Sequence, residues 1–176
     1  MDRCEECGYA YDLTAATRAG DDILLGVAEL ARLLVTTEPH TLARRTAPEL
    51  WSPLEYACHV RDVLITQRER VLLARRVDVP AAVPMGRDER VAHEGYAEND
   101  PTEVAEEVTV AGRLLANALR RLDTRDWELR IVYNWPQRCE RTLRWVAVNT
   151  LHDVRHHLLD IHRQLARAEP AVGRVN

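Results

Sequence analysis

Apolar positions recur every three or four residues along four stretches of the chain, and this spacing predicts four amphipathic helices. In the first, Ile23, Leu24, Val27, Leu30, Leu33 and Leu34 share a face, with Thr14 or Asp21 as the expected cap. The second has the clearest start: Ser52 as N-cap, Pro53 at the first helical position and Glu55 at the third complete a capping box. Tyr56, Val60, Val63, Leu64 and Val71 then line one side to about Arg75, with His59 on the edge of the stripe beside Val63. A third helix is expected from Asp100-Pro101-Thr102 to near Leu122, with Val104, Val108, Leu114, Leu115, Ala118 and Leu122 facing the core.

The fourth segment, about Glu140 to Ala168, is apolar on two sides. Leu143, Ala147, Leu151, Val154, Leu158, Ile161 and Leu165 form one stripe; Trp145, Val148, His152, His156 and Leu159 form the other. A helix with two apolar faces packs on both, so the second face should meet a dimer partner or a covering arm. Residues 76–100 are rich in Pro, Gly, Asp and Glu and read as a long connection, which lets bundle helices run parallel. Trp127, Leu129, Ile131, Tyr133 and Trp135 alternate with largely polar residues, predicting a short strand or hairpin arm that ends at Trp135-Pro136. The expectation is an all-α four-helix bundle over residues 14–168, preceded by a 1–13 arm and followed by a 169–176 tail.

Composition narrows the function classes. A chain of 176 residues with 46% hydrophobic and 30% charged residues is one ordinary domain with room for a core. A net charge of -4 leaves no basic footprint for nucleic acid, and 5% aromatic content argues against base stacking. All 24 basic residues are arginine, which we read as codon bias. The opening Met1-Asp2-Arg3-Cys4 lacks an apolar signal region, and no apolar run reaches membrane length, so a cytoplasmic protein with no membrane partner is expected. In that compartment four cysteines serve as thiols or metal ligands more readily than as disulfides.

Histidine spacing points to the chemistry. His152 and His156 stand one helical turn apart and project to the same side, where a third imidazole such as His59 would close a facial metal site. Three neutral imidazoles suit a divalent ion, zinc or nickel foremost. Asp62, Asp153 and Asn149 are the expected partners that orient the rings. His157 is the nearest rival but points about 100° away from His156. His40, His93 and His162 read as surface histidines.

The run Trp51-Ser52-x-x-Glu55-x-x-x-His59-x-x-Asp62, followed downstream by His152-x-x-x-His156-His157, resembles the DinB/YfiT-like superfamily over roughly residues 20–168. The resemblance implies an up-down-down-up four-helix bundle, often a homodimer, with a divalent metal on His59, His152 and His156. It implies a metal-dependent thiol S-transferase that uses a small thiol such as mycothiol against an electrophile, in detoxification or stress response. In the related mycothiol-dependent maleylpyruvate isomerase the first fourth-helix ligand is a glutamate, where this chain has His152. Two alternatives remain: a metal-dependent hydrolase, in which the same ion activates water, and a non-enzymatic dimeric metal-binding protein.

Cys4-x-x-Cys7-Gly8 is not part of the resemblance. One such pair offers two of the four ligands a structural zinc site needs. Two readings follow: a peripheral arm, or an arm folded over the metal pocket with a thiol near the open coordination position. Arg130, Arg138, Arg141 and Arg144 are expected to form a solvated face, and Trp51 to fill core.

Overall fold

In the computed structural model, residues 3–134 and 137–168 are described. Trp135 and Pro136, the expected end of the extended segment, lie outside them, as does the 169–176 tail. Four long helices build an up-down-down-up bundle: α1 (Ala19–Thr36), α3 (Pro53–Ala74), α5 (Pro101–Arg120) and α6 (Leu143–Ala168). Two short helices, α2 (Pro39–Ala43) and α4 (Arg87–His93), sit in the connections. Helix α1 packs along α5 and α6, and α3 along the same two.

Local chemistry sets the helix starts. At α3 the Ser52 hydroxyl accepts from the Glu55 backbone N–H at 3.2 Å, and the Glu55 carboxylate accepts from the Ser52 N–H at 2.8 Å. Both orphan donors of the first turn are thereby satisfied. Asp100 caps α5 ahead of Pro101, as its sequence position implies. Helix α1 differs from expectation: a 3₁₀ turn, Leu13–Arg18, capped by Asp12, runs directly into it, so neither Thr14 nor Asp21 is the cap.

Helix α6 starts at Leu143 rather than near Glu140 because Cys139–Thr142 is a strand, β2. It pairs antiparallel with β1 (Arg130–Tyr133), from Arg130 opposite Thr142 to Tyr133 opposite Cys139. The backbone of Pro80 and Ala82 exchanges hydrogen bonds with Val132, tying the long α3–α5 connection to this hairpin. That connection also buries Tyr96 completely, although it reads as polar coil.

The core lies where all four long helices meet, around Ile23, Val27, Leu30, Leu64, Val108, Leu115, Leu151 and Val154. Leu114, an expected core position, is 45% exposed on the outer side of α5. A Cβ on Gly26 would stand 2.6 Å from Val154 Cγ1, so this glycine permits α1 to approach α6.

Candidate metal centre

The second apolar face of α6 is covered by the N-terminal arm. Tyr9 and Tyr11 pack their rings on His152, with centroids 5.4 and 5.1 Å away, and on each other edge-to-face. The Arg155 guanidinium lies over Tyr9, and Arg163 donates to the Glu6 carbonyl at 3.3 Å. These contacts bring Cys4 and Cys7 against α6.

The arm itself is a tight hairpin. Cys4 N–H donates to the Tyr9 carbonyl at 2.8 Å and Gly8 N–H to the Cys4 carbonyl at 2.9 Å, while Arg3 bridges Ala10. Gly8 has φ +73°, a left-handed conformation that glycine adopts without a Cβ penalty. Burial works to raise the Cys4 thiol, but backbone N–H groups of Cys7 and Glu6 and the His152 ring outweigh it and bring it down to about 6. Burial and the neighbouring Cys4 thiolate push Cys7 up.

One ligand atom each from Cys4, Cys7, His152 and His156 lies within 4.8 Å of all the others. Each histidine has one nitrogen engaged and one available. His152 Nδ1 meets the Tyr11 hydroxyl at 2.9 Å and Asp153 Oδ1 at 3.3 Å, while its Nε2 is buried with no partner. His156 Nε2 faces Glu6 Oε2 at 3.3 Å and Asp160 Oδ2 at 3.4 Å, and its Nδ1 stands 3.7 Å from Cys4 Sγ. A carboxylate on one nitrogen and a free second nitrogen is how metal-binding histidines are oriented. Asn149 donates to Asp153 at 3.3 Å and steadies it. Burial opposes protonation of His152, yet Asp153 and Cys4 together raise its pKa. The donor set of thiols and imidazoles with a buried, unpartnered nitrogen fits a zinc-like ion.

His59 stands apart from this group. It is 6% exposed, its ring lies edge-on to Trp51 and His157 with centroids 5.2 and 4.9 Å away, and its Nδ1 has no partner. Burial, helped by the charge of His157, drives its pKa down to about 3, so the ring is neutral at physiological pH. Ring contacts run from His152 to His156 to His157 to His59, linking all four. His157 also stacks on Tyr56 and shares Asp160 with His156. Asp62 does not orient His59; it accepts from Arg61, Arg90 and Tyr96 instead.

The remaining candidates are placed elsewhere. Cys58 is buried with its thiol toward the Tyr96 carbonyl, and burial pushes it up to about 12. Cys139 lies on β2. Arg130 and Arg144 pair with Glu140 and Glu128, and Arg141 covers Trp145. His40, His93 and His162 are exposed. Tyr11 and Asp160 are the site residues that periodicity did not single out, and only the Asp160 spacing from His156, one helical turn, could have flagged it; His157, read as the rival of His156, links the pair to His59.

An N-terminal hairpin of cysteines docked on a histidine-bearing helix of a four-helix bundle defines a candidate metalloprotein. The DinB superfamily profile matches residues 26–161, and the chain belongs to that superfamily. Its fold is also that of YfiT from Bacillus subtilis, described as a probable metal-dependent hydrolase with an unusual four-helix bundle topology. The two share 16% identity with a TM-score of 0.71, covering 84% of this chain and 86% of YfiT. No curated protein matches the chain. Among the described residues, no helix is long and apolar enough to cross a membrane.

Proposed function

We propose that this DinB-superfamily protein is a divalent-metal-dependent thiol S-transferase, with zinc or nickel on His152 and His156 and mycothiol or a similar small thiol as cosubstrate. His59 is the third ligand in this reading, taken from the family pattern; its burial-enforced neutrality is the protonation state a ligand requires. When bound, the ion would lower the pKa of a coordinated thiol and hold it as a thiolate.

The observation that carries the reading is a thiol already beside the two histidines: Cys4 Sγ lies 3.7 Å from His156 Nδ1 and within 4.8 Å of a His152 ring nitrogen. The surroundings therefore accept sulfur and favour its anionic form. Asp153 and Asp160 fix the ring orientations, and Tyr9 and Tyr11 pack on the His152 ring. In the transfer, the thiolate sulfur would form a bond to an electrophilic carbon, the leaving group would take the electron pair of the broken bond, and the thiol proton would pass to solvent.

The description of YfiT as a metal-dependent hydrolase favours a second reading, in which the same centre activates water. Metal-loaded protein assayed on a panel of electrophiles with and without thiol separates the two. Thiol-dependent conjugate formation supports S-transfer. Hydrolysis products formed without thiol transfer the assignment to the hydrolase, and full metal occupancy without turnover removes both.

A further inference from the structure

We propose that Cys4 and Cys7 are themselves metal ligands, forming with His152 Nε2 and His156 Nδ1 a four-coordinate Cys₂His₂ zinc centre that pins the N-terminal arm across α6.

The spacing supports it. Zn–S and Zn–N bonds of about 2.3 and 2.0–2.1 Å in a tetrahedron put neighbouring ligand atoms about 3.4–3.8 Å apart. Cys4 Sγ and His156 Nδ1 are already at 3.7 Å, and the whole group lies within 4.8 Å. Closing the set needs movements of about 1 Å, within reach of side-chain rotation.

The donors are prepared as well as near. Cys4 and Cys7, three positions apart on a hairpin whose turn ends in a left-handed glycine, bring both sulfurs to the same two histidines, and backbone N–H groups point at them. Each histidine keeps its other nitrogen on a carboxylate, Asp153 or Asp160, which fixes the free nitrogen as the ligand atom. Two thiolates neutralise a divalent ion, so the ion and its four ligands together carry no net charge. Sulfur donors also select zinc-like ions over magnesium or calcium.

The consequence deepens the proposed function and rests on it. In this state the two cysteines, and not His59, complete the coordination; four protein ligands leave no position for a thiol or water, so the docked arm is the closed state of the centre and His59 joins only when the arm leaves. An incoming thiol reaches the ion only when Cys4 or Cys7 leaves, a ligand exchange of sulfur for sulfur with no change of redox state.

Cobalt substitution of the full-length chain, under reducing conditions, tests this. Wild-type protein should bind one ion per chain, with sulfur-to-cobalt charge-transfer absorption and intense tetrahedral visible bands. Cys4→Ser/Cys7→Ser should lose the charge-transfer absorption and bind at least 100-fold more weakly in chelator competition, while keeping its helical circular dichroism. His152→Ala should weaken binding while a residual charge-transfer band marks the remaining thiolates. Wild-type binding without charge-transfer absorption, or unchanged affinity in the double serine variant, overturns the proposal and leaves the histidine-centred function standing. Charge-transfer absorption in a protein that shows no thiol-dependent turnover sustains the centre and removes the transferase. A wild-type chain that binds no metal removes both.

Discussion

Cys4 and His156 are separated by 152 positions, yet the Cys4 sulfur stands 3.7 Å from the His156 Nδ1. The opposite nitrogen of that ring is held by Asp160 at 3.4 Å, and Asp160 also holds His157 Nδ1 at 3.2 Å. Asp160→Asn keeps the shape and removes the charge that orients both rings. A metal affinity about 10–100-fold weaker is expected, measured by chelator competition. Unchanged affinity would show that Asp160 does not orient the site.

Docking of the arm depends on two aromatic rings. Tyr9→Ala/Tyr11→Ala removes both ring contacts with His152 and the hydroxyl contact at 2.9 Å. Thiol alkylation of metal-free protein should then label Cys4 and Cys7 several-fold faster, read by mass spectrometry, while Cys58 stays protected in the core. Equal labelling rates before and after substitution would mean that the tyrosines do not hold the arm.

Gly26→Ala tests the approach of α1 to α6. The new methyl group meets Val154 Cγ1, a stiff, fully buried side chain, at 2.6 Å. Overpacking costs about 1–3 kcal/mol, offset by about 1 kcal/mol of helix propensity. A net loss of up to about 2 kcal/mol in urea unfolding is expected, and a gain in stability would contradict the close packing.

Asp62 governs acid stability from α3. Burial raises its pKa, but hydrogen bonds from Arg61 and Tyr96 and the neighbouring guanidiniums overcome this and hold it below the usual carboxylate range. Its folded-state pKa lies below its unfolded value of about 3.9. The stabilisation is therefore complete above that value and disappears as pH falls through the folded-state pKa. Asp62→Asn takes from Arg61, a largely buried cation, its buried carboxylate partner and leaves it the more exposed Glu107 and Glu94. A loss of about 1.5–3 kcal/mol at neutral pH is expected, together with a flatter dependence of unfolding free energy on pH below 4.

Most of the bundle was legible because its signals are local. Ser52, Pro53 and Glu55 announce α3 by chemistry that needs no tertiary partner, and the stripes of α1 and α5 report burial directly. Departures arise where partners are distant: residues 140–142 read as the first turn of α6, but pairing with β1 draws them into a strand. Tyr96 is buried by Asp62 and α3, which a polar connection does not reveal. The second face of α6 called for a covering element, and the arm is the cover found here. The histidine pair was readable from spacing. Its meeting with Cys4 and Cys7 was not, because sequence gives no measure of where a twelve-residue arm returns.

The hairpin is synthesised well before α6. At about 5–20 residues per second, the ribosome exposes Cys4 and Cys7 roughly 8–30 seconds before it supplies His156. Through that interval the two thiols are neither shielded by Tyr9 and Tyr11 on His152 nor able to share an ion with α6. The proposed Cys₂His₂ centre can therefore assemble only after α6 is made, and the two thiols must stay reduced until then.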